Sequence, residues 1–289
     1  MSADITIFQK GLFKKRLPLS VILGNRLQYG AYDSGWRMET GKMDETEFTA
    51  FLPDAVARGF SVTWNPQEKD HVSLRLLTPT SHEEIREFYA AVERIVRFWN
   101  AELRVEGEKF GLDQWLRKME EFIDFNDRAL KTICQQIVDG KKERLQLFAA
   151  FWPLTIGREE ALRFADHPTL YASWLQDLQN CDVYYAVPKF YNTDEGVVGR
   201  YVFTENCLST FPTWPSVPFG MIDPDTDKQL TCDSYQVAFF SSTKKEVIGS
   251  MDFHAFFQRL PSGKVNRYDA ARILIEPLTL EELQEMLGA

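Results

Sequence analysis

Residues 183–219, VYYAVPKFYNTDEGVVGRYVFTENCLSTFPTWPSVPF, constrain what this chain can fold into more than any other stretch. They carry nine aromatic residues and four prolines in 37 positions, against 13% aromatics overall. Each proline fixes its own φ and lacks an N–H, so 212–218 predicts a stiff loop that cannot sit inside a sheet. Upstream, 183–191 and 197–204 predict a hairpin across Asn192, Thr193, Asp194, Glu195 and Gly196, which are turn-forming residues. If 183–191 is one strand, alternation puts Tyr185 and Tyr191 on the same side of it.

The rest of the chain alternates strand and helix signals. Residues 4–9 read as a first strand, followed by short strands at 47–52, 59–64 and 71–77. The glycines Gly24, Gly30, Gly35 and Gly41 punctuate a region of little regular pattern. Ser81 and Glu84 have capping-box spacing, and Ile85, Phe88, Tyr89, Val92, Ile95, Val96 and Trp99 then recur on one helix face. A second long helix is predicted over 113–139, a strand over 144–152, and two helices over 158–165 and 170–178. Strands at 229–241, 245–248 and 272–275 follow, with a helix capped by Asp252 and a last one capped by Thr279 and Glu282. The segment 76–85 is echoed in register by 274–283: a strand end, a proline, a capping box and an amphipathic helix. The expected class is α+β: two lobes of mainly antiparallel strands, each closed by a capped amphipathic helix, with a helical middle section. The divisions are 1–110, 111–180 and 181–289, which a single compact unit could also contain.

Composition narrows the partners. The formal net charge is −9 over 289 residues, which lacks the basic field of a nucleic-acid binder. The N-terminus has no apolar run and cleavage site of a secretory signal, and the longest apolar run, 147–154, is too short to span a bilayer. Cys134, Cys181, Cys207 and Cys232 are scattered, as in a reduced cytoplasmic protein. No membrane and no nucleic acid are expected as partners, and no cofactor.

Phosphate-loop, dinucleotide, zinc-protease and nucleophile-elbow patterns do not occur. Asp223-Pro224-Asp225-Thr226-Asp227 alternates carboxylates, but Lys228 and Ser234 stand where a calcium loop needs Gly and Glu, so an Asp-Pro turn reads better. His254 and Asp252 are two apart and do not share a helix face. What remains is Tyr185, Tyr191, Arg200, Tyr201, Glu205, Asn206 and Trp214. Tyr, Trp and Arg offer large contact area with a polar handle, and Glu205 and Asn206 follow at a strand end where they could fix a ligand. The plainer reading of the same aromatics is the core of a twisted sheet, with the prolines shaping an edge loop.

Segments 17–24 with Tyr29-Gly30, Arg58-Gly59-Phe60, Tyr184-Tyr185-Ala186, Phe203-Thr204-Glu205-Asn206, Pro218-Phe219, Tyr268-Asp269-Ala270 and Leu274-Ile275 carry a near full-length resemblance. The chain resembles a bacterial family known only as a domain of unknown function. That resemblance implies a bacterial cytosolic protein and no assigned activity or site. The expected function is a non-catalytic binding or protein-interaction role using 183–219, through Tyr185, Tyr191, Arg200, Glu205, Asn206 and Trp214. The partner would be a protein or a small ligand. The alternative is a carboxylate-based, metal-assisted enzyme site near Glu205, Asp223 and Asp225.

Overall fold

Strand β1 (Ser2–Phe8) alternates as its sequence predicts, burying Ala3, Ile5 and Ile7 on one side. The computed structural model describes residues 2–33, 37–194, 196–218, 220–223 and 226–288. Gly35, Glu195, Phe219, Pro224 and Asp225, all used in the readings above, lie outside the described residues. The architecture is α+β, divided into two compact units, Met1–Cys181 and Asp182–Ala289.

In the first unit β1 is followed by α1 (Leu19–Leu23), β2 (Gln28–Tyr32), β3 (Met38–Thr40), β4 (Glu47–Phe51), β5 (Phe60–Thr63), β6 (His71–Leu77), α2 (His82–Trp99), β7 (Glu102–Val105) and β8 (Glu108–Phe110). The strands form one eight-stranded sheet, β3-β2-β4-β5-β6-β1-β7-β8. Every neighbouring pair is antiparallel. The glycine-punctuated region supplies β2 and β3, which its irregular pattern did not disclose. The whole apolar stripe of α2 is buried against this sheet's core, with Phe60 and Phe88 edge-on at 5.2 Å.

One helical and one strand reading are modified. The helix expected over 113–139 is broken at Lys118 into α3 (Leu112–Arg117) and α4 (Met119–Val138). There the Lys118 N–H bonds to the Trp115 carbonyl, a tight turn, and Trp115 stacks on Tyr89 at 4.1 Å. Residues 144–152 are not one strand. Only β9 (Leu145–Leu147) pairs, with β10 (Leu154–Ile156). Between them the Phe151 N–H bonds the Gln179 side chain at 2.6 Å and the Ala150 N–H bonds the Ala57 carbonyl, so the backbone is satisfied without a ladder. Helices α5 (Arg158–Asp166) and α6 (Thr169–Gln179) complete the unit.

The capping box expected at α2 closes on one side only. Ser81 Oγ accepts the Glu84 N–H at 3.2 Å. The Glu84 carboxylate turns away and accepts the N–H of Gly59 at 2.6 Å, the N–H of Arg58 at 3.2 Å and the Thr80 hydroxyl. Burial pushes this carboxyl above its ordinary range.

The second unit contains β11 (Tyr184–Tyr185), β12 (Lys189–Thr193), β13 (Gly196–Thr204), β14 (Ser209–Pro212), β15 (Ile222–Asp223), β16 (Lys228–Gln229), β17 (Ser234–Ser241), β18 (Glu246–Asp252), α7 (Phe253–Arg259), β19 (Val265–Arg267), β20 (Arg272–Ile275) and α8 (Leu280–Leu287). Two four-stranded sheets, β11-β14-β20-β19 and β12-β13-β17-β18, enclose a core containing Tyr201, Phe203, Phe211, Phe239, Phe253 and Phe256. Within this mostly antiparallel unit, β13 with β17 and β11 with β14 run parallel. The hairpin of β12 and β13 forms as expected. The strand expected over 183–191 does not continue through Pro188, which cannot donate to a ladder. Its two ends join different sheets, so Tyr185 and Tyr191 are not on one strand. Pro212 does enter a sheet, as the last residue of β14 opposite Arg272, where β11 no longer reaches.

Candidate functional site

The expected binding residues separate into a set engaged with internal partners and an exposed set. Tyr185, half-buried, belongs to the first. The Arg272 guanidinium lies 3.7 Å from its ring centroid, and Arg272 Nη2 donates to the carbonyls of Ala186 and Thr210, both at 2.7 Å. Arg272 Nε donates to Thr210 Oγ1 at 3.2 Å. Burial raises the Tyr185 phenol above its ordinary value, with Arg272 opposing. Tyr185 therefore holds a buried arginine between strands of its own sheet. Tyr201 is core, touching Phe211 and Phe253, and its phenol is pushed up to about 12 by burial.

Glu205 is also engaged internally. Its oxygens accept the Ser241 hydroxyl at 2.6 Å, the Thr243 hydroxyl at 2.7 Å and the Thr243 N–H at 3.2 Å. These bonds, Ser241 first, hold the carboxyl below its ordinary value. Glu205 thus clamps the turn between β17 and β18. Asn206 follows in a left-handed conformation, φ 57°. Its N–H bonds the Leu278 carbonyl at 2.9 Å, and its side chain approaches Glu205 Oε1 at 3.4 Å.

Asn206 is exposed, and so are two pairs. Tyr191 is 45% exposed, and Arg200 lies 5.3 Å from its ring centroid. Register explains the pairing: Tyr191 opposes Val198, so Arg200 is its diagonal neighbour on the face turned away from Tyr201. Lys189 opposes Arg200 directly and is exposed. Trp214 is 68% exposed, with its ring 5.1 Å from that of His254. Its loop is held from behind by the Thr213 N–H and hydroxyl on the Ala271 carbonyl, at 2.8 and 3.2 Å, and by buried Pro215.

His254 joins this surface as a ring partner and not as half of an acid–base pair. Asp252 is spent as the helix cap, with Oδ1 accepting the N–H groups of His254 and Ala255 at 2.8 and 3.1 Å. Asp223 Oδ2 accepts the Thr226 hydroxyl at 2.9 Å, as in an Asp turn. Among the described residues, no group of three or more His, Cys, Asp and Glu side chains is placed to hold a metal ion. Among them, too, no helix is long and apolar enough to cross a membrane.

Sequence reading missed Arg272 and the Trp214–His254 contact. A lone arginine heading the apolar strand Arg272–Ile275 was the available signal for the first. The second joins residues 40 positions apart and leaves no local trace.

No curated protein and no solved structure matches this chain. The model of one family, described as a domain of unknown function (DUF4299), matches residues 2–286, and the chain belongs to that family.

Proposed function

We propose that this is a non-catalytic binding protein of the cytoplasm whose second unit docks a protein partner through the exposed part of 183–219. The observation that carries the reading is Trp214. Its side chain is 68% exposed on a loop held by Thr213 and Pro215. An aromatic side chain presented on a fixed loop loses little entropy on binding and contributes large contact area. Tyr191 with Arg200 and Lys189 adds a second aromatic–cation patch in a chain of net charge −9. Such cations suit a partner with carboxylates around an apolar centre. No disulfide joins any of the four cysteines among the described residues, which suits a reducing compartment. The carboxylate-enzyme alternative gains nothing from Glu205, whose oxygens are occupied by Ser241 and Thr243.

The test is capture of partners from native lysate by the full chain, followed by titration of the purified partner. Trp214→Ala with Arg200→Ala, shown folded by circular dichroism, is expected to weaken binding by about tenfold or more. Equal affinity in that variant would refute the surface.

A further inference from the structure

Arg58 lies in the first unit and is 92% buried, at 8% exposure. A buried guanidinium is costly unless its charge and donors are met. Arg58 Nε donates to the Phe148 carbonyl at 2.8 Å, and Nη1 to the Pro79 carbonyl at 3.3 Å. Neither partner carries charge. The nearby Glu84 carboxylate takes the backbone N–H of Arg58 instead of its side chain. Among the described residues Arg58 feels the charge of Glu84 without forming an ion pair with it, and Nη2 has no hydrogen-bond partner. The sealed side-chain polar atom without a partner among them is Trp115 Nε1, so Arg58 Nη2, unpartnered but not sealed, keeps some solvent contact.

Arg58 lines a pair of cavities. The smaller, about 130 Å³, is lined by Arg58, Tyr32, Thr49, Ser61, Arg75 and Phe148, among others. The larger, about 580 Å³, is walled by Phe125, Ile133, Leu145, Leu147 and Phe148. Arg58, Leu77 and Phe148 line both, so the two adjoin at the arginine. Phe125 and Phe148 are 38% and 40% exposed, large apolar side chains that the fold leaves uncovered where they wall the cavity. A volume of this size is usual for a small organic ligand.

We propose that Arg58 is the anchor of a binding site for a monocarboxylate with an apolar body. The carboxylate accepts from Arg58 Nη2 beside the Ser61 hydroxyl, the Thr49 side chain being bonded to Tyr32. The apolar body lies over Phe125, Ile133, Leu147 and Phe148. A single negative charge fits better than a phosphate dianion, because Arg75, the other cation of the small cavity, already pairs with Asp4 at 3.4 Å. The larger cavity's Arg128 and Lys142 lie at the solvent side, both exposed. The site rests on residues of the first unit alone and goes beyond the protein-docking reading.

Calorimetric titration of the full chain with octanoate tests it, with acetate, octanol and inorganic phosphate as comparisons. Octanoate is expected to bind, with affinity rising up to about fourfold per methylene between acetate and octanoate. Octanol and phosphate are expected to bind at least about tenfold more weakly. Arg58→Gln is expected to lower octanoate affinity about tenfold or more. Thr132→Trp changes an exposed wall residue that makes none of the Arg58 contacts. It should leave the melting temperature near wild type while weakening octanoate by a similar factor. Should Arg58→Gln not fold, Thr132→Trp and the ligand series decide alone. The proposal is overturned if octanoate does not bind, if octanol or phosphate binds as well, or if folded variants bind octanoate like wild type. Those outcomes leave the Trp214 surface untouched, since its partner is captured and titrated separately.

Discussion

The carboxylate of Glu84 accepts the backbone N–H of Gly59 at 2.6 Å, across 25 residues of sequence. Gly59 stands at φ +70°, and a Cβ there would come 2.5 Å from Thr49 Cγ2 and 3.0 Å from the Ala50 carbonyl. Gly59→Ala is therefore expected to destabilise the first unit by about 1–3 kcal/mol, through backbone strain and displacement of β4. Gly107 is the control. It has φ +85° but nothing within 4 Å, so Gly107→Ala should cost only about 1 kcal/mol. Urea unfolding of the two variants checks the difference.

Glu84 and Glu205 should give stability slopes of opposite sign with pH. Burial raises the folded-state pKa of Glu84 above the ordinary 4.5. Its contribution is full below that value and is lost as pH rises through the folded pKa. Hydrogen bonds from Ser241 and Thr243 lower the folded-state pKa of Glu205 below 4.5. Its contribution is present above 4.5 and is lost as pH falls through the folded pKa. Glu84→Gln should flatten the upper part of the profile and Glu205→Gln the acid part. Urea midpoints between about pH 3 and pH 8 read both.

How far the sequence carried depends on whether a signal is local. The apolar stripe from Ile85 to Trp99, the Asp252 cap and the Thr279 cap were legible because spacing and capping act within a few residues. The parallel pairing of β13 with β17 was not, since no residue of one strand names its distant neighbour. Tyr185 was misplaced because Tyr-Tyr-Ala-Val-Pro and the following Lys-Phe-Tyr read as one run, whereas Pro188 separates two strands of different sheets. For the expected site residues, the sequence left exposure unread. Tyr185 and Glu205 turn inward to bonds that only tertiary folding provides. Arg58 was read as part of a resemblance, because nothing in Arg-Gly-Phe tells that its guanidinium is buried.

Trp214 and Phe211 are three positions apart and should respond oppositely to truncation. Phe211 is fully buried among Tyr201, Phe203 and Phe256. Phe211→Ala is expected to cost about 3–5 kcal/mol. Trp214 is 68% exposed with its ring against His254, so Trp214→Ala should stay within about 0.5 kcal/mol of wild type. Thermal unfolding separates the two. A Trp214→Ala variant as damaged as Phe211→Ala would mean that this side chain is core.

The two capping motifs, alike in sequence, should differ most in their glutamates. At α8 the box is closed both ways: Thr279 Oγ1 accepts the Glu282 N–H at 3.3 Å, and Glu282 Oε2 accepts the Thr279 N–H at 2.7 Å. Lys264 adds an ion pair at the surface. Glu282→Ala then frees one terminal N–H that water can reach and loses a partly exposed ion pair, a cost of about 1 kcal/mol. At α2 the same position is filled by Glu84, whose carboxylate serves two buried N–H groups and a buried hydroxyl. Glu84→Ala leaves the buried Arg58 and Gly59 N–H groups without their acceptor, at about 1–3 kcal/mol each. The expected total is about 2–5 kcal/mol, with Ser81→Ala and Thr279→Ala both near 1 kcal/mol as matched cap controls. Denaturant unfolding of the four variants would show one motif acting as a helix cap and the other as the tie between α2 and the turn before β5. Equal costs for the two glutamates would remove that distinction.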